Sequence, residues 1–498
     1  MPDVSVLNVY LHDQSIGTLT HIQGDRTIFA FNQDYIDDPD RATLSLSFKD
    51  QFGELVTNFK PVQQVVPPFF SNLLPEGPLR KYLAERAGVN VQHEFFLLWM
   101  LGRDLPGALS VHPAEGEELP PQVEAEITPA KRSNMLRFSL AGVQLKFSAL
   151  NNGLKAGGLV IPAEGVGGSW IVKLPSQQYA GVPENEYSMM TIAKAMGMNV
   201  PDLHLLGLDA IDGLPEGIGE LKGQAVAIKR FDRSGKGPVH IEDFSQVFSV
   251  YPDGKYQHAT YRRIASVLGI ETGDAEIAEF IRRLVFSTLI GNADMHLKNW
   301  SLIYTDGRTP ALSPAYDLVS TIPYIADENM ALKYSRTKKM AEFSKDELKH
   351  LAAKARLSEK LVLDTAAETI SRFKQIWSEQ KTKLPLEKRS SRWSTRTRRL
   401  SLSTAKSSMD FELGNLSPCQ ALNLMAVPRG VEPPTFGLGN RCSIRLSYGT
   451  VWRCHSTPGS TAHPRARRNS CGSRAELGLS LSPLCRACFT CGGAQGAP

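Results

Sequence analysis

From Ala275 to Thr288 the apolar residues Ile277, Phe280, Ile281, Leu284 and Val285 recur at the spacing of one buried helix face, and the pattern stops at Gly291. The next stretch is polar: Asn292-Ala-Asp294-Met-His296-Leu-Lys298-Asn299, closed by Trp300. The ionisable residues therefore sit on a loop anchored by a buried helix. The chain turns helical from about Glu242. Ser344-Lys-Asp-Glu347 reads as a capping box ahead of a helix over Leu348–Leu357, and Ile370, Phe373 and Trp377 mark one face of a last helix, Ser358–Gln380.

Asp294 and Asn299 stand five apart, the spacing at which a kinase catalytic loop sets its base and its metal-binding amide, with Lys298 as a cation beside the transferred phosphoryl group. Downstream, Asp317 closes Leu312-Ser-Pro-Ala-Tyr316-Asp317. An aspartate between apolar residues, with a second carboxylate and an amide to join it, suits a magnesium–nucleotide site, because magnesium takes hard oxygen ligands and leaves the rest of its shell to phosphate and water. Taken singly, an Asp in a loop after a helix is more often a cap or turn residue than a ligand.

Composition divides the chain. Of 56 Lys/Arg and 51 Asp/Glu, 16 and 5 lie from Glu387 onward, so the preceding body carries 40 and 46 and is mildly acidic. That balance gives it no electrostatic grip on nucleic acid. All seven cysteines, from Cys419 to Cys491, lie in the same tail. A body without cysteine, signal segment or long apolar run is expected in a reducing, cytoplasmic setting, without a membrane anchor.

Asp294-Met-His-Leu-Lys-Asn299 followed by Pro314-Ala-Tyr-Asp317 resembles the HipA family, the serine/threonine kinase toxins of bacterial toxin–antitoxin pairs. Further blocks stand in family order: Leu73-Leu-Pro-Glu-Gly77, Leu101-Gly-Arg-Asp-Leu-Pro-Gly-Ala108, Ser139-Leu-Ala-Gly-Val-Gln-Leu-Lys146, Ile171-Val-Lys173, Glu184-Asn-Glu-Tyr187 and Lys229-Arg-Phe-Asp-Arg233. The resemblance spans roughly residues 4–380. It implies a two-lobed, protein-kinase-like α+β fold, with a β-rich N-terminal part and an all-α C-terminal lobe; the disordered tail beyond is read from composition. It also implies use of ATP and Mg2+, with Asp294 as catalytic base and Asn299 and Asp317 as metal ligands.

The resemblance assigns the remaining ATP contacts to Ala141, Gly142, Val143, Gln144, Leu145 and Lys146 of a phosphate-covering loop, to Lys173, and to the adenine hinge Lys229, Arg230 and Phe231. His296, Leu297, Lys298, Asn299, Tyr316 and Asp317 complete the set, and Ser139 matches the serine that family members autophosphorylate. The family usually has Glu where Leu145 and Lys229 stand. Partners implied are a protein substrate such as an aminoacyl-tRNA synthetase and a helix-turn-helix antitoxin, with DNA reached only through that antitoxin. A lipid or small-molecule kinase of similar site, or a catalytically silent co-repressor, are the alternatives.

Read in order, residues 1–112 form an N-terminal β/α subdomain, with alternating strands at Val4–Tyr10, Thr27–Phe31 and Leu44–Phe48 and helices at Leu79–Arg86 and His93–Leu101. Pro75-Glu-Gly77 reads as a structural turn, and Arg103-Asp104 as a local ion pair. Residues 113–134 hold a Glu/Pro-rich linker, and 135–240 the kinase small lobe. In that lobe Gly142 and Lys146 suit phosphate cradling or a plain hairpin turn. Lys173, mid-strand among apolar residues, calls for a carboxylate partner, for which Glu186 at the start of the next helix is the candidate, unless the lysine faces water at a sheet edge. Residues 241–384 form the helical lobe. In 385–498, Cys485, Cys488 and Cys491 have zinc-like spacing, but the absence of hydrophobic periodicity favours a disordered appendage read in an aberrant frame.

Overall fold

Alternating inward residues build the first sheet. Leu7, Val9 and Leu11 of β1 (Ser5–Leu11), Ile16 and Leu19 of β2 (Gln14–Ile22), and Phe29 and Phe31 of β3 (Arg26–Phe31) are all buried. With β4 (Val62–Gln63) and β5 (Leu109–Pro113) they form a five-stranded antiparallel sheet in the order β4-β3-β2-β1-β5. The helices Gly77–Ala87 and Glu94–Leu101 lie where expected. This computed structural model describes residues 5–114, 146–151, 159–160, 168–176, 178–214, 221–325 and 328–386. Ser139, the loop Ala141–Leu145, nearly all of the expected linker and the tail from Glu387 lie outside the described residues.

The expected strand at Leu44–Phe48 is instead a short 3-10 turn, Leu46–Phe48. The Ser45 hydroxyl accepts the Ser47 N–H, and the Leu46 N–H donates to the buried Glu242 carboxylate at 3.0 Å, so local side-chain bonds replace a sheet ladder. Leu44 and Phe48 still bury themselves, which is why alternation suggested a strand.

A second sheet runs β10-β7-β6-β8-β11-β9, from β6 (Lys146–Asn151), β7 (Leu159–Val160), β8 (Trp170–Lys173), β9 (Leu203–Gly207), β10 (Ile211–Asp212) and β11 (Gln224–Lys229). β8 lies between β6 and β11, in the interior of the sheet, and Lys146 pairs directly opposite Lys173. Phe147, Ala149, Val172, Ala225 and Ala227 join the same core as the first sheet. The helix Val182–Ala195 packs on β11 and β9.

A separate core holds the long helices Tyr261–Glu271, Asp274–Leu289, Lys345–Ala355 and Glu359–Gln380. Ile277, Phe280, Ile281, Leu284 and Val285 are buried, as their spacing requires. Ser344 caps its helix, but the Glu347 carboxylate accepts from the Ser335 and Arg336 N–H groups instead of closing a capping box, because that inward-turning loop needs acceptors. This half is not purely helical. After a small β12–β13 hairpin (Arg233–Ser234, Gly237–Pro238), β14 (His240–Asp243), β15 (Ser301–Tyr304) and β16 (Ala311–Leu312) form a three-stranded sheet. β15 begins two residues after Asn299 and so fixes where the polar loop ends. Among the described residues no helix is long and apolar enough to cross a membrane.

Candidate active site

The Asp274–Leu289 helix ends at Gly291, whose φ of +65° and whose Cβ position, 2.6 Å from Ile322 Cδ1, together require glycine. The chain then turns. The Asn292 N–H returns to the Ser287 carbonyl at 2.8 Å, the Asn292 side chain accepts the Asp294 N–H at 3.1 Å, and Leu297–Asn299 forms a 3-10 turn. Asn299 Nδ2 donates to the Asp294 carbonyl at 2.9 Å, locking the two residues together.

Lys173 donates to Glu186 Oε1 at 2.5 Å and to Asp317 Oδ1 at 2.6 Å. The expected strand–helix pair therefore forms, with a third member from the other lobe. Burial opposes charge on this lysine, but the two carboxylates outweigh it and raise its pKa. Lys146, paired beside it, suffers the burial penalty and the like charge of Lys173, only partly offset by Asp317, and falls to about 8. Burial would lift Asp317, yet Lys173 holds it at about 2. Asp317 adopts φ +58°, a left-handed conformation that Asp tolerates better than most residues.

Asp294 is pushed up to about 6 by burial, against the pull of the Tyr256 hydroxyl, which donates to its Oδ1 at 2.5 Å. His296 is driven well below its ordinary value by burial and by Lys255, so its imidazole is neutral; it packs edge-on against Tyr256 at 5.0 Å. Tyr316 donates to the Lys298 carbonyl at 2.9 Å, and its ring lies 5.6 Å from that of Phe231.

These residues line one cleft of about 250 Å³ that includes Lys146, Lys173, Lys229, Arg230, Phe231, Asp294, His296, Lys298, Asn299, Tyr316 and Asp317. Several expectations shift in detail. Leu297 is fully buried in the helical core and does not line the cleft. At the hinge the Lys229 N–H is taken by the Asp202 carbonyl and the Arg230 N–H by that of Ser169, each at 2.8 Å, which leaves the Phe231 N–H without an acceptor among the described residues. Asp104 pairs with Arg230 at 3.2 Å and Arg233 at 2.8 Å rather than with the exposed Arg103, because it is buried against that turn.

The ammonium of Lys298 is not free in the cleft. It meets Glu76 Oε1 at 2.7 Å and donates to the Asn72 carbonyl at 2.8 Å, while Lys255 meets Glu76 Oε2 at 2.6 Å. Glu76 thus belongs to the cleft, and the turn Pro75-Glu-Gly77 is more than packing. Glu76, Lys255, Tyr256 and Asp243 all escaped the sequence reading of the site. Only Glu76 lay in one of the blocks that carry the family resemblance.

For a divalent cation the donor set fits. Asn299 spends its amide nitrogen on Asp294, its oxygen has no partner among the described residues, and Asp317 Oδ2 is likewise uncommitted. Two hard oxygens in the lining of one cleft suit magnesium, which leaves its remaining positions to phosphate and water.

A strand lysine paired to a helix glutamate, facing an Asp–Asn loop and a further aspartate across one cleft, defines a protein-kinase-like phosphotransferase site. Residues 7–112 match the HipA N-terminal domain and residues 138–377 the HipA-like C-terminal domain. The candidate kinase Y4dM of Sinorhizobium fredii is 69% identical over 387 residues, covering 78% of this chain and 94% of that protein. The serine/threonine-protein kinase toxin HipA of Shewanella oneidensis is 28% identical, over 64% of this chain and 76% of its own. The solved complex of HipA, HipB and operator DNA from Shewanella oneidensis contains a chain with a TM-score of 0.59 at 22% identity, covering 83% of this chain and 96% of that one, a likeness of fold. The chain belongs to the HipA family of kinases.

Proposed function

We propose that this protein is an ATP- and magnesium-dependent protein serine/threonine kinase that acts as the toxin of a toxin–antitoxin pair. The observation that carries the reading is Lys173 held between Glu186 and Asp317, opposite Asp294 and Asn299, in one cleft. Asp294 is the base. With Oδ1 held by Tyr256, Oδ2 is left to orient a substrate hydroxyl, and a proton affinity near pH 6 suits proton acceptance at neutral pH.

Asn299 and Asp317 would hold magnesium, which when bound neutralises charge on the phosphates. Lys173 and Lys146 face the phosphate end, and the Phe231 N–H with the Phe231 and Tyr316 rings offers the adenine a donor and apolar faces. Family membership supports a translation-related substrate such as an aminoacyl-tRNA synthetase, and the HipA–HipB–DNA neighbour supports a DNA-binding, helix-turn-helix antitoxin. Ser139 is the proposed autophosphorylation site, two residues before Ala141-Gly142 in sequence, and a phosphate of about −1.5 to −2 charges there would repel ATP and switch the enzyme off.

The test is incubation of the purified chain with γ-labelled ATP and magnesium, followed by phosphosite mapping and a phosphoproteomic comparison of cells with and without induction. Transfer to serine or threonine, abolished in Asp294→Asn, is expected. A wild-type chain that binds its antitoxin but transfers no phosphate would instead favour a silent co-repressor.

A further inference from the structure

Glu76 lies in the N-terminal domain, far in sequence from the polar loop, yet its carboxylate reaches two buried lysines of the helical lobe. Lys298 sits at 2.7 Å and Lys255 at 2.6 Å, and their side chains are 8% and 7% exposed. Burial works against ionising Glu76, but the two ammoniums overcome it and hold it charged. Lys298 is tied down further by the Asn72 carbonyl at 2.8 Å, also from the N-terminal domain.

Each lysine is one residue from a group that touches Asp294. Lys255 precedes Tyr256, whose hydroxyl donates to Asp294 Oδ1 at 2.5 Å. Lys298 precedes Asn299, whose amide donates to the Asp294 carbonyl at 2.9 Å. The same segment is stitched to the loop directly, since the Leu297 N–H donates to the Lys255 carbonyl.

We propose that Glu76 is a positioning residue for phosphoryl transfer, by which the N-terminal domain fixes the base Asp294 through two arms, Lys255–Tyr256 and Lys298–Asn299. The inference rests on the kinase reading above for the role of Asp294. It assigns the N-terminal domain a part in catalysis, in that its carboxylate sets the loop without touching nucleotide. Anything that lifts the Leu73–Gly77 turn away would loosen both arms together.

The test uses the full chain with Glu76→Gln, Glu76→Asp, Tyr256→Phe and the Glu76→Gln/Tyr256→Phe pair. Transfer from γ-labelled ATP to the chain itself and to a casein mixture gives kcat and the KM for ATP, and hydrogen exchange reports on residues 292–300. Glu76→Gln should lower kcat about tenfold to a hundredfold, the scale of small misplacements at a reacting centre, with the KM for ATP changed less than about threefold. Exchange in the loop should rise while the Asp274–Leu289 helix stays protected, and Glu76→Asp should recover part of the rate. The double variant should be faster than the product of the two single effects predicts, since both act along one path.

An unchanged kcat with unchanged loop exchange in Glu76→Gln overturns the proposal. So does strict multiplicativity of the two substitutions. If Glu76→Gln does not fold, Tyr256→Phe decides, and wild-type kcat in that variant overturns it. If the wild type itself transfers no phosphate the kinase reading fails, whereas the positioning claim is still judged by the loop's exchange.

Discussion

Lys173 and Lys298 line the same cleft as buried ammoniums, yet they are held in different ways. Lys173 bridges a helix of its own lobe, through Glu186, to Asp317 of the helical lobe, an aspartate whose side chain is 37% exposed. Lys298 is enclosed by Glu76 and the Asn72 carbonyl, both from the N-terminal domain and both buried or nearly so. The first grouping keeps one partner at the mouth of the cleft, able to exchange its lysine for another cation. The second has no such opening. One lysine is placed to meet a ligand, and the other to hold the loop that acts on it.

The most severe way to break this contrast is to remove the carboxylates on the open side. Asp294→Asn and Asp317→Asn should each lower phosphoryl transfer by about a thousandfold or more while the chain stays folded, since charge placement supplies most of the catalysis in such sites. Single-turnover transfer alongside thermal unfolding measures both. Near wild-type turnover in either variant would remove the assignment of base or metal ligand.

Next in size is the stability carried by the lysines themselves. Lys173→Met strands Glu186 without its cation inside the small lobe, and Lys298→Met does the same to half of the Glu76 grouping. Breaking a buried pair from one side costs about 3–5 kcal/mol. Lys298→Met should sit at the low end, because Lys255 still meets Glu76 at 2.6 Å, whereas Lys173→Met removes the cation paired with fully buried Glu186, and adding Glu186→Gln should restore part of that loss. Denaturant midpoints of the single and double variants check this. Equal losses with no recovery would show that the two groupings do not differ as described.

The contrast also explains what the sequence made legible. A lysine inside the apolar strand Trp170–Lys173 calls for a carboxylate, and Glu186 stood at the start of the next helix, but the local pattern equally allowed a water-facing edge lysine, and it took the family resemblance to favour the pair. Asp294 and Asn299 were readable from their spacing, and Asp317 from its apolar setting together with those two partners upstream. Glu76 was not, because nothing local requires Pro75-Glu-Gly77 to face a loop from the opposite end of the chain, and only tertiary folding brings it to Lys255 and Lys298. Tyr256 lay in a segment, Tyr251–His258, with no periodicity to mark it. The misread strand at Leu44–Phe48 has the same origin: Glu242, remote in sequence, supplies acceptors that favour a turn there. β2 was missed since the neighbouring buried positions Ile16 and Gly17 blur its alternation.

Glu242 itself is the smallest and last case, a buried carboxyl between the N-terminal domain and the helical lobe that has no cation at all among the described residues. It accepts from the Ser45 and Tyr304 hydroxyls and from the Leu46 N–H at 3.0 Å. Burial outweighs these three donors and pushes it up to about 7 from an ordinary 4.5. With the folded value above the unfolded one, the folded state binds the proton more tightly, so the contribution of Glu242 to stability is complete below about 4.5 and is lost as pH rises through about 7. Lys173 holds Asp317 charged, and Lys298 with Lys255 holds Glu76 charged, so those two carboxylates add no such loss in that window. Glu242→Gln cannot titrate. Its own packing penalty is the same at every pH, and the stability gap between wild type and variant should narrow by on the order of 1–3 kcal/mol from pH 5 to pH 8. Urea unfolding of both chains at several pH values measures the gap, and a gap independent of pH would mean that the three donors, not burial, set the proton affinity at this junction.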